Sequence, residues 1–445
     1  IDLTLAYAFD WRYSHDQLKI CAKIAGDVGA KYILFHTSSH PRPNITTAFL
    51  GRREAYGKLF GPDGSNLGVW IIKNGMKDWF MAKFIRILFS AMGAAGDPGV
   101  IDYFESAESF KEAKNYAEHV YYSTEAAVTQ ELLLLQVKIE ELERIRRARP
   151  LTKEEEKEFE RLLEELKKKR TEKYFIEVAA KLHNISLEEA FRCINVAHYT
   201  IRYDFDAIFD FWVRQGAEGE EYVAYLTVAE YMYKNNDKIW KSIAKISKSP
   251  YELAREASKK AGELTSKEVE NLKKIVAAVA GKYIEGHLFA KSEQYGIKDG
   301  DKILSIYDYC KKNNVRIFIE TAMPERGAEG ELRILSALDH INLCKAIDDG
   351  KLVNYCIDFE HLLTNLIDPI EEAKKILKEQ PGDGKYITCL HTNAPRPIIG
   401  AHAPIEIASQ DMLILYKWLY TLRKAGMKDS YICLLYTSPS PRDRQ

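Results

Sequence analysis

No run of apolar residues in this chain is long enough to cross a bilayer. The nearest, residues 81–96, is broken by Lys83 and Arg86, so no membrane partner is expected. Cysteine is sparse as well: seven residues, scattered singly and with no Cys-x-x-Cys pair. That excludes a disulfide framework and a zinc ribbon and suits reduced thiols in a cytoplasmic protein. Net charge is almost absent, with 64 Lys and Arg against 65 Asp and Glu. Such a balance argues against a generally basic nucleic-acid coat protein and against a long charged tail, although a local basic patch survives it. Gly61, Gly64 and Gly68 form neither a Gly-x-Gly-x-x-Gly turn nor a P-loop, and read as a turn-rich loop. There is no repeat of fixed period. The chain opens at Ile1 with neither Met nor a signal peptide. Residues 433–445 resemble the translation of a sequencing-library adaptor. They are expected to be a non-native tail, with the natural product running further at both ends.

What remains is ordinary globular material, 46% apolar and 29% charged. Its 445 residues suggest two or three domains. Both ends of the usable sequence read α/β. Residues 3–9 form a short apolar-aromatic run expected as a strand. Ser14-His15-Asp16-Gln17 has capping-box spacing, and the helix after it is stopped by Gly26 and Gly29. Tyr32-Ile33-Leu34-Phe35-His36 is apolar on both faces, as in a buried parallel strand. The rhythm returns late, with strands expected at 315–320, 352–358, 386–391 and from Tyr431. Helices are expected at 303–313, 331–347, 370–378 and 411–425. Strands alternating with helices of this length mark βαβ units and a parallel sheet.

The middle reads as helical throughout. Residues 137–181 hold a charged hairpin that turns at Arg149-Pro150-Leu151. Thr152-Lys153-Glu154-Glu155 caps its second arm, and Leu162, Leu163 and Leu166 form that arm's apolar stripe. Aromatic residues from Phe205 to Trp240 recur at helical spacing and read as core. The fold class that follows is α/β, a partial (β/α)8 barrel with a long all-helical insertion after an early strand. Its parts are 1–43 and 299–432 for the barrel, 44–298 for the insertion and 433–445 for the tail.

Four of the expected strands end in an acid–base or metal-type side chain: His36, Glu320, Asp358 and His391. A parallel barrel builds its active site at the carboxyl ends of its strands, so this repetition points to one shared rim. Mixed imidazole and carboxylate donors suit Zn²⁺, Mn²⁺ or a similar divalent ion. His361 lies three residues past a strand end, where a loop turns it back over the rim. After His391 the loop carries Asn393, Arg396 and His402, stiffened by two prolines. Cys356 and Cys389 sit within strands and read as inert core thiols. His119, His183, His198 and His287 lack a metal spacing.

The strings Ile33-Leu34-Phe35-His36, Ile319-Glu320-Thr321-Ala322, Cys356-Ile357-Asp358-Phe359-Glu360-His361 and Leu390-His391-Thr392-Asn393 resemble the xylose-isomerase-like barrel superfamily. That group holds sugar isomerases and epimerases together with endonuclease IV-type abasic-site nucleases. The resemblance implies that His36 and Glu320 share one metal and that Glu320 bridges to a second held by Asp358 and His391. His361 and His402 would hold a third. No histidine falls in Leu5-Ala6-Tyr7-Ala8-Phe9, and Gly400 stands where the pattern has Asp, so one or two ions, zinc or manganese, are expected.

Two activities follow from the resemblance. One is endonuclease IV-like hydrolysis of phosphodiesters at abasic sites in DNA; the other is isomerisation or epimerisation of a small sugar or sugar phosphate. Glu320 is the natural ligand or base in either. The competing class is a degenerate, non-enzymatic barrel used as a binding scaffold. The charged hairpin reads first as a solvated face and second as a surface that recruits a protein partner or covers the barrel mouth.

Overall fold

The computed structural model describes residues 1–46, 54–94, 96–260, 263–323, 331–394 and 408–433, with the single positions 49 and 405. The chain forms two compact units, residues 1–74 with 216–445, and residues 75–215. It is a mixed α/β structure, 63% helical.

In the first unit, β1 (Tyr32–His36), β2 (Arg316–Glu320), β3 (Val353–Asp358), β4 (Ile387–His391) and β5 (Tyr431–Cys433) form one parallel sheet. Their spatial order follows chain order. Every crossover therefore steps in the same direction, and right-handed crossovers then place the intervening helices on a single face. A doubly wound sheet reverses its order at a switch point, and the described strands show no reversal. Ile33, Phe35, Ile317, Ile319, Tyr355, Ile357 and Leu390 are buried. The helix Ala8–Val28 packs against β1, Ile306–Lys312 against β2 and Ala337–Asp348 against β3.

The opposite face curls inward. The ring of Tyr32 on β1 lies 5.6 Å from that of Tyr431 on β5, and both approach Phe318 on β2, at 4.7 and 6.2 Å. Side chains from the two outermost strands thus meet across the concavity. The sheet is a half barrel of five strands.

Several local expectations need correction. Residues 3–9 make no strand, because the helical stripe Ala8, Trp11, Ser14, His15, Leu18, Ala22 and Ala25 already begins at Ala8. Tyr7 contributes only an isolated bridge to Leu59. Ser14 consequently lies buried inside the helix and does not cap it. Gly29, at φ 69°, closes that helix in the left-handed region open to glycine, whereas Gly26 remains helical. The middle of the chain is not all-helical either. Tyr56–Lys58 pairs with Glu218–Glu220, and Ile297–Asp299 pairs with Lys302–Leu304, both antiparallel. The helices Glu221–Lys234, Pro250–Lys259 and Ser266–Phe289 belong to the same unit as the sheet.

The second unit is helical in its described residues. Its hairpin joins Phe110–Ala148 to Lys153–Lys169, and Thr152 and Glu155 make the reciprocal capping box. Leu135 and Ile139 meet Leu162, flanked by Leu142, Phe159 and Leu166. Phe205, Phe209 and Trp212 pack with Phe80, Phe104 and Phe110. The later aromatics Tyr225, Tyr231 and Trp240 lie in the sheet-bearing unit, so the aromatic array divides between two cores. Among the described residues, no helix is long and apolar enough to cross a membrane.

Candidate metal centre

His36, Glu320, Asp358 and His391 are the last residues of β1, β2, β3 and β4. Strand register sets them in two neighbouring layers. His36 stands opposite Glu320, and Asp358 stands opposite His391. The second pairing depends on an irregularity. Tyr355 pairs with Ile387 but Cys356 pairs with Cys389, so β4 gains one residue, Thr388, against β3. Without that bulge Leu390 would face Asp358. With it, His391 joins the carboxylate on the concave side, the kind of re-aiming that bulges perform beside functional sites.

The side chains converge. Glu320 Oε2 lies 3.3 Å from His36 Nε2, and its Oε1 lies 2.6 Å from His391 Nδ1 and 3.8 Å from His361 Nδ1. Asp358 Oδ2 is 3.3 Å from His391 Nδ1 and 3.7 Å from His361 Nε2. The rings of His36 and His361 meet edge to face with centroids 5.2 Å apart. Two triads result, His36–Glu320–His361 and Glu320–Asp358–His391, each with its ligand atoms within 4.8 Å of one another. Glu320 is common to both. Glu320 and Asp358 are 2% and 0% exposed, whereas His36 keeps 39% of its side chain open, so access to the cluster is from the His36 side.

Neighbours hold these groups in place. Asp358 Oδ1 accepts the His361 backbone N–H at 2.9 Å and so caps the short helix Phe359–Thr364, which leaves Oδ2 turned into the cluster. His361 Nδ1 donates to the Thr321 carbonyl at 2.8 Å, fixing the tautomer that directs Nε2 toward the Asp358 side. Thr321 Oγ1 lies 2.6 Å from Tyr355 Oη and accepts the Asp358 N–H at 3.3 Å. Thr37, beside His36, donates to the Glu320 carbonyl and meets His340 Nε2 at 3.0 Å. Asn365 donates to the carbonyls of Ala322 and His361, and Asn393 donates to the buried Glu360.

Electrostatics follow from this packing. Burial pushes the Glu320 carboxyl upward, but the imidazoles of His36 and His391 override it and hold the group down, at about 2. Burial pushes His391 toward neutrality, and Asp358, Cys389 and Glu320 override that in turn, holding the ring protonated well above the usual histidine range. Such clustering is expensive, because a buried ion without well-formed hydrogen bonds costs several kcal/mol. Yet Asp358 Oδ2 and His391 Nδ1, both buried, form no well-directed hydrogen bond with the described residues. Donor atoms that crowd together without pointing at each other suit a shared cation. An N/O donor set of this composition fits zinc or manganese.

The structure therefore brings together five of the six residues singled out from sequence: His36, Glu320, Asp358, His361 and His391. His361 stands beside His36 and Glu320. His402 lies outside the described residues, as does Arg396. Sequence reasoning missed Thr321, Tyr355, Thr37 and His340, whose residue types give no signal outside the three-dimensional arrangement. It also missed that Cys356 and Cys389, strand neighbours in register, share the concave face with His391. Comparison with known protein families, with curated proteins and with solved structures finds no match for this chain.

Proposed function

We propose that this chain is a divalent-metal-dependent enzyme resembling endonuclease IV, which hydrolyses phosphodiesters at abasic sites in DNA. In this reading the half barrel is part of a (β/α)8 barrel, and His36, Glu320, Asp358, His361 and His391 hold one or two zinc or manganese ions. The observation that carries it is the position of Glu320, with Oε2 toward His36 and Oε1 toward His391. A carboxylate offered to two adjacent triads suits a pair of ions, and paired ions suit in-line displacement at phosphorus better than proton transfer on a sugar. When bound, such ions supply Lewis acidity, acidifying water and neutralising charge on a phosphate oxygen.

The chain's own residues do the positioning. Glu320 remains ionised at neutral pH because its imidazole neighbours hold its pKa low. Thr321 holds both Asp358 and His361, so the residue that ends β3 and the one in the short helix after it move as one piece. His36, the most open of the five, is where an incoming phosphate meets the cluster. The test is an assay of the purified chain, with zinc or manganese and with a chelator, on abasic duplex DNA beside ketose and aldose phosphates. Metal-dependent scission of the DNA, lost in Glu320→Gln, is expected. Turnover of sugar phosphates alone removes the nuclease reading in favour of an isomerase, and neither activity together with no bound metal leaves a scaffold.

A further inference from the structure

The layer of the half barrel that holds His36 and Glu320 continues across the sheet. Opposite Glu320 in register is Cys356, and opposite Cys356 is Cys389. Both cysteines are fully buried and unoxidised. Phe318, Tyr32 and Leu34 pack around them. On the other side stands His391, one layer nearer the rim. Cys356, Cys389 and His391 offer two sulfurs and a ring nitrogen that lie within 4.8 Å of one another. With Zn–S near 2.3 Å and Zn–N near 2.0 Å, neighbouring ligands on a tetrahedral zinc stand about 3.5–3.8 Å apart, so only a small adjustment separates this triad from a ligating one. Alanine or valine would fill an apolar floor at those two strand positions equally well. The bulge at Thr388 brings Cys389 onto this face together with His391.

We propose that Cys356 and Cys389 are metal ligands, joining His391 to form a thiolate–imidazole site at the base of the carboxylate cluster. The inference rests on the metal-centre reading above and sharpens it. Soft thiolate donors select zinc and its thiophilic relatives over manganese or magnesium. Binding releases the two thiol protons to solvent, and His391 is the corner at which the sulfur pair and the carboxylates meet.

Cobalt(II) substitution tests this directly. The purified full chain, reduced and free of oxygen, is titrated with cobalt(II) while binding is counted by equilibrium dialysis and absorption is recorded. The expected result is saturable binding with an intense thiolate-to-cobalt charge-transfer band in the near ultraviolet and strong tetrahedral ligand-field bands, all displaced by zinc. Cys356→Ser and Cys389→Ser each remove roughly half of the charge-transfer intensity while cobalt still binds. Cobalt that binds with only weak ligand-field absorption overturns thiol ligation and leaves the carboxylate–imidazole centre standing. A charge-transfer band that persists unchanged in both variants also overturns it, since the sulfur then comes from elsewhere. No cobalt bound at all removes both readings. Where a serine variant fails to fold, Cys356→Ala and Cys389→Ala give the same readout.

Discussion

Ionisable side chains are handled in opposite ways by the helical hairpin and by the rim of the half barrel. Along the hairpin, Arg161 pairs with Glu158 and Glu165 one turn away on either side, and Arg149 forks onto Glu155. These groups are solvated, their partners are local, and pairs of this kind contribute little to stability. At the rim, each of three imidazoles has a ring nitrogen 2.6–3.8 Å from an oxygen of one or both of two carboxylates, and four of the five groups lie largely out of water. An apolar rim of equal volume is the cheaper way to end four strands. The hairpin's charges thus need no explanation beyond local pairing and helix formation, whereas the crowding at the rim is what the proposed cation would relieve.

A third group of charges calibrates the contrast. Arg333 is buried, but both of its terminal nitrogens bond Glu221, at 2.8 and 2.7 Å, and one also reaches Tyr225 Oη and the Thr4 carbonyl. Burial against a carboxylate that takes both terminal nitrogens is structural, even though Nε has no hydrogen-bond partner among the described residues. Glu221→Gln leaves that guanidinium with an uncompensated charge, and the expected loss is about 3–5 kcal/mol in urea unfolding, the largest of this set. A loss comparable to a surface mutation breaks the distinction between satisfied and unsatisfied burial.

Protonation separates the rim from both other groups. His391 is held protonated far above the ordinary histidine value by Asp358, Cys389 and Glu320 acting against burial. A cation that takes Nδ1 must displace that proton. The sign follows: metal affinity rises with pH throughout the neutral range, by about tenfold per unit for each proton released. Calorimetry in buffers of different ionisation enthalpy reads the proton count, and affinity that is flat with pH contradicts the assignment of His391. Next in size is Tyr355→Phe. It removes the hydroxyl beside Thr321 and loosens the piece that carries Asp358 and His361, for an expected loss of about tenfold in cation affinity with the helical content unchanged. The smallest effect belongs to the hairpin. Arg161→Ala is expected to leave the melting temperature where it was, and a clear fall requires a tertiary role for those charges.

Much of this architecture was legible from the strands themselves. Short apolar stretches ending in His36, Glu320, Asp358 and His391 mark both a buried parallel sheet and its chemically distinct rim. Thr152 and Glu155 likewise announce a helix start by local hydrogen bonding alone. Other features depend on tertiary context. Ser14 matches a capping box, yet the stripe from Ala8 and Trp11 onward outweighs it. The residue added at Thr388 leaves no mark in composition, although it decides whether Leu390 or His391 meets Asp358. Cys356 and Cys389 are apolar-looking strand residues until register shows that they are neighbours. Tyr355 and His340 stack with ring centroids 4.6 Å apart, behind the site they help to support.

The most direct measurement is the metal content and zinc affinity of the purified chain, set beside Glu320→Gln, whose backbone is expected to be unchanged. Removing the shared carboxylate is expected to weaken zinc roughly 100-fold or more, above the range typical of residues that only support a ligand. One or two tightly held ions are expected in the parent chain, and their loss in the variant. A parent chain that binds no zinc or manganese beyond what Glu320→Gln binds contradicts the metal-centre reading.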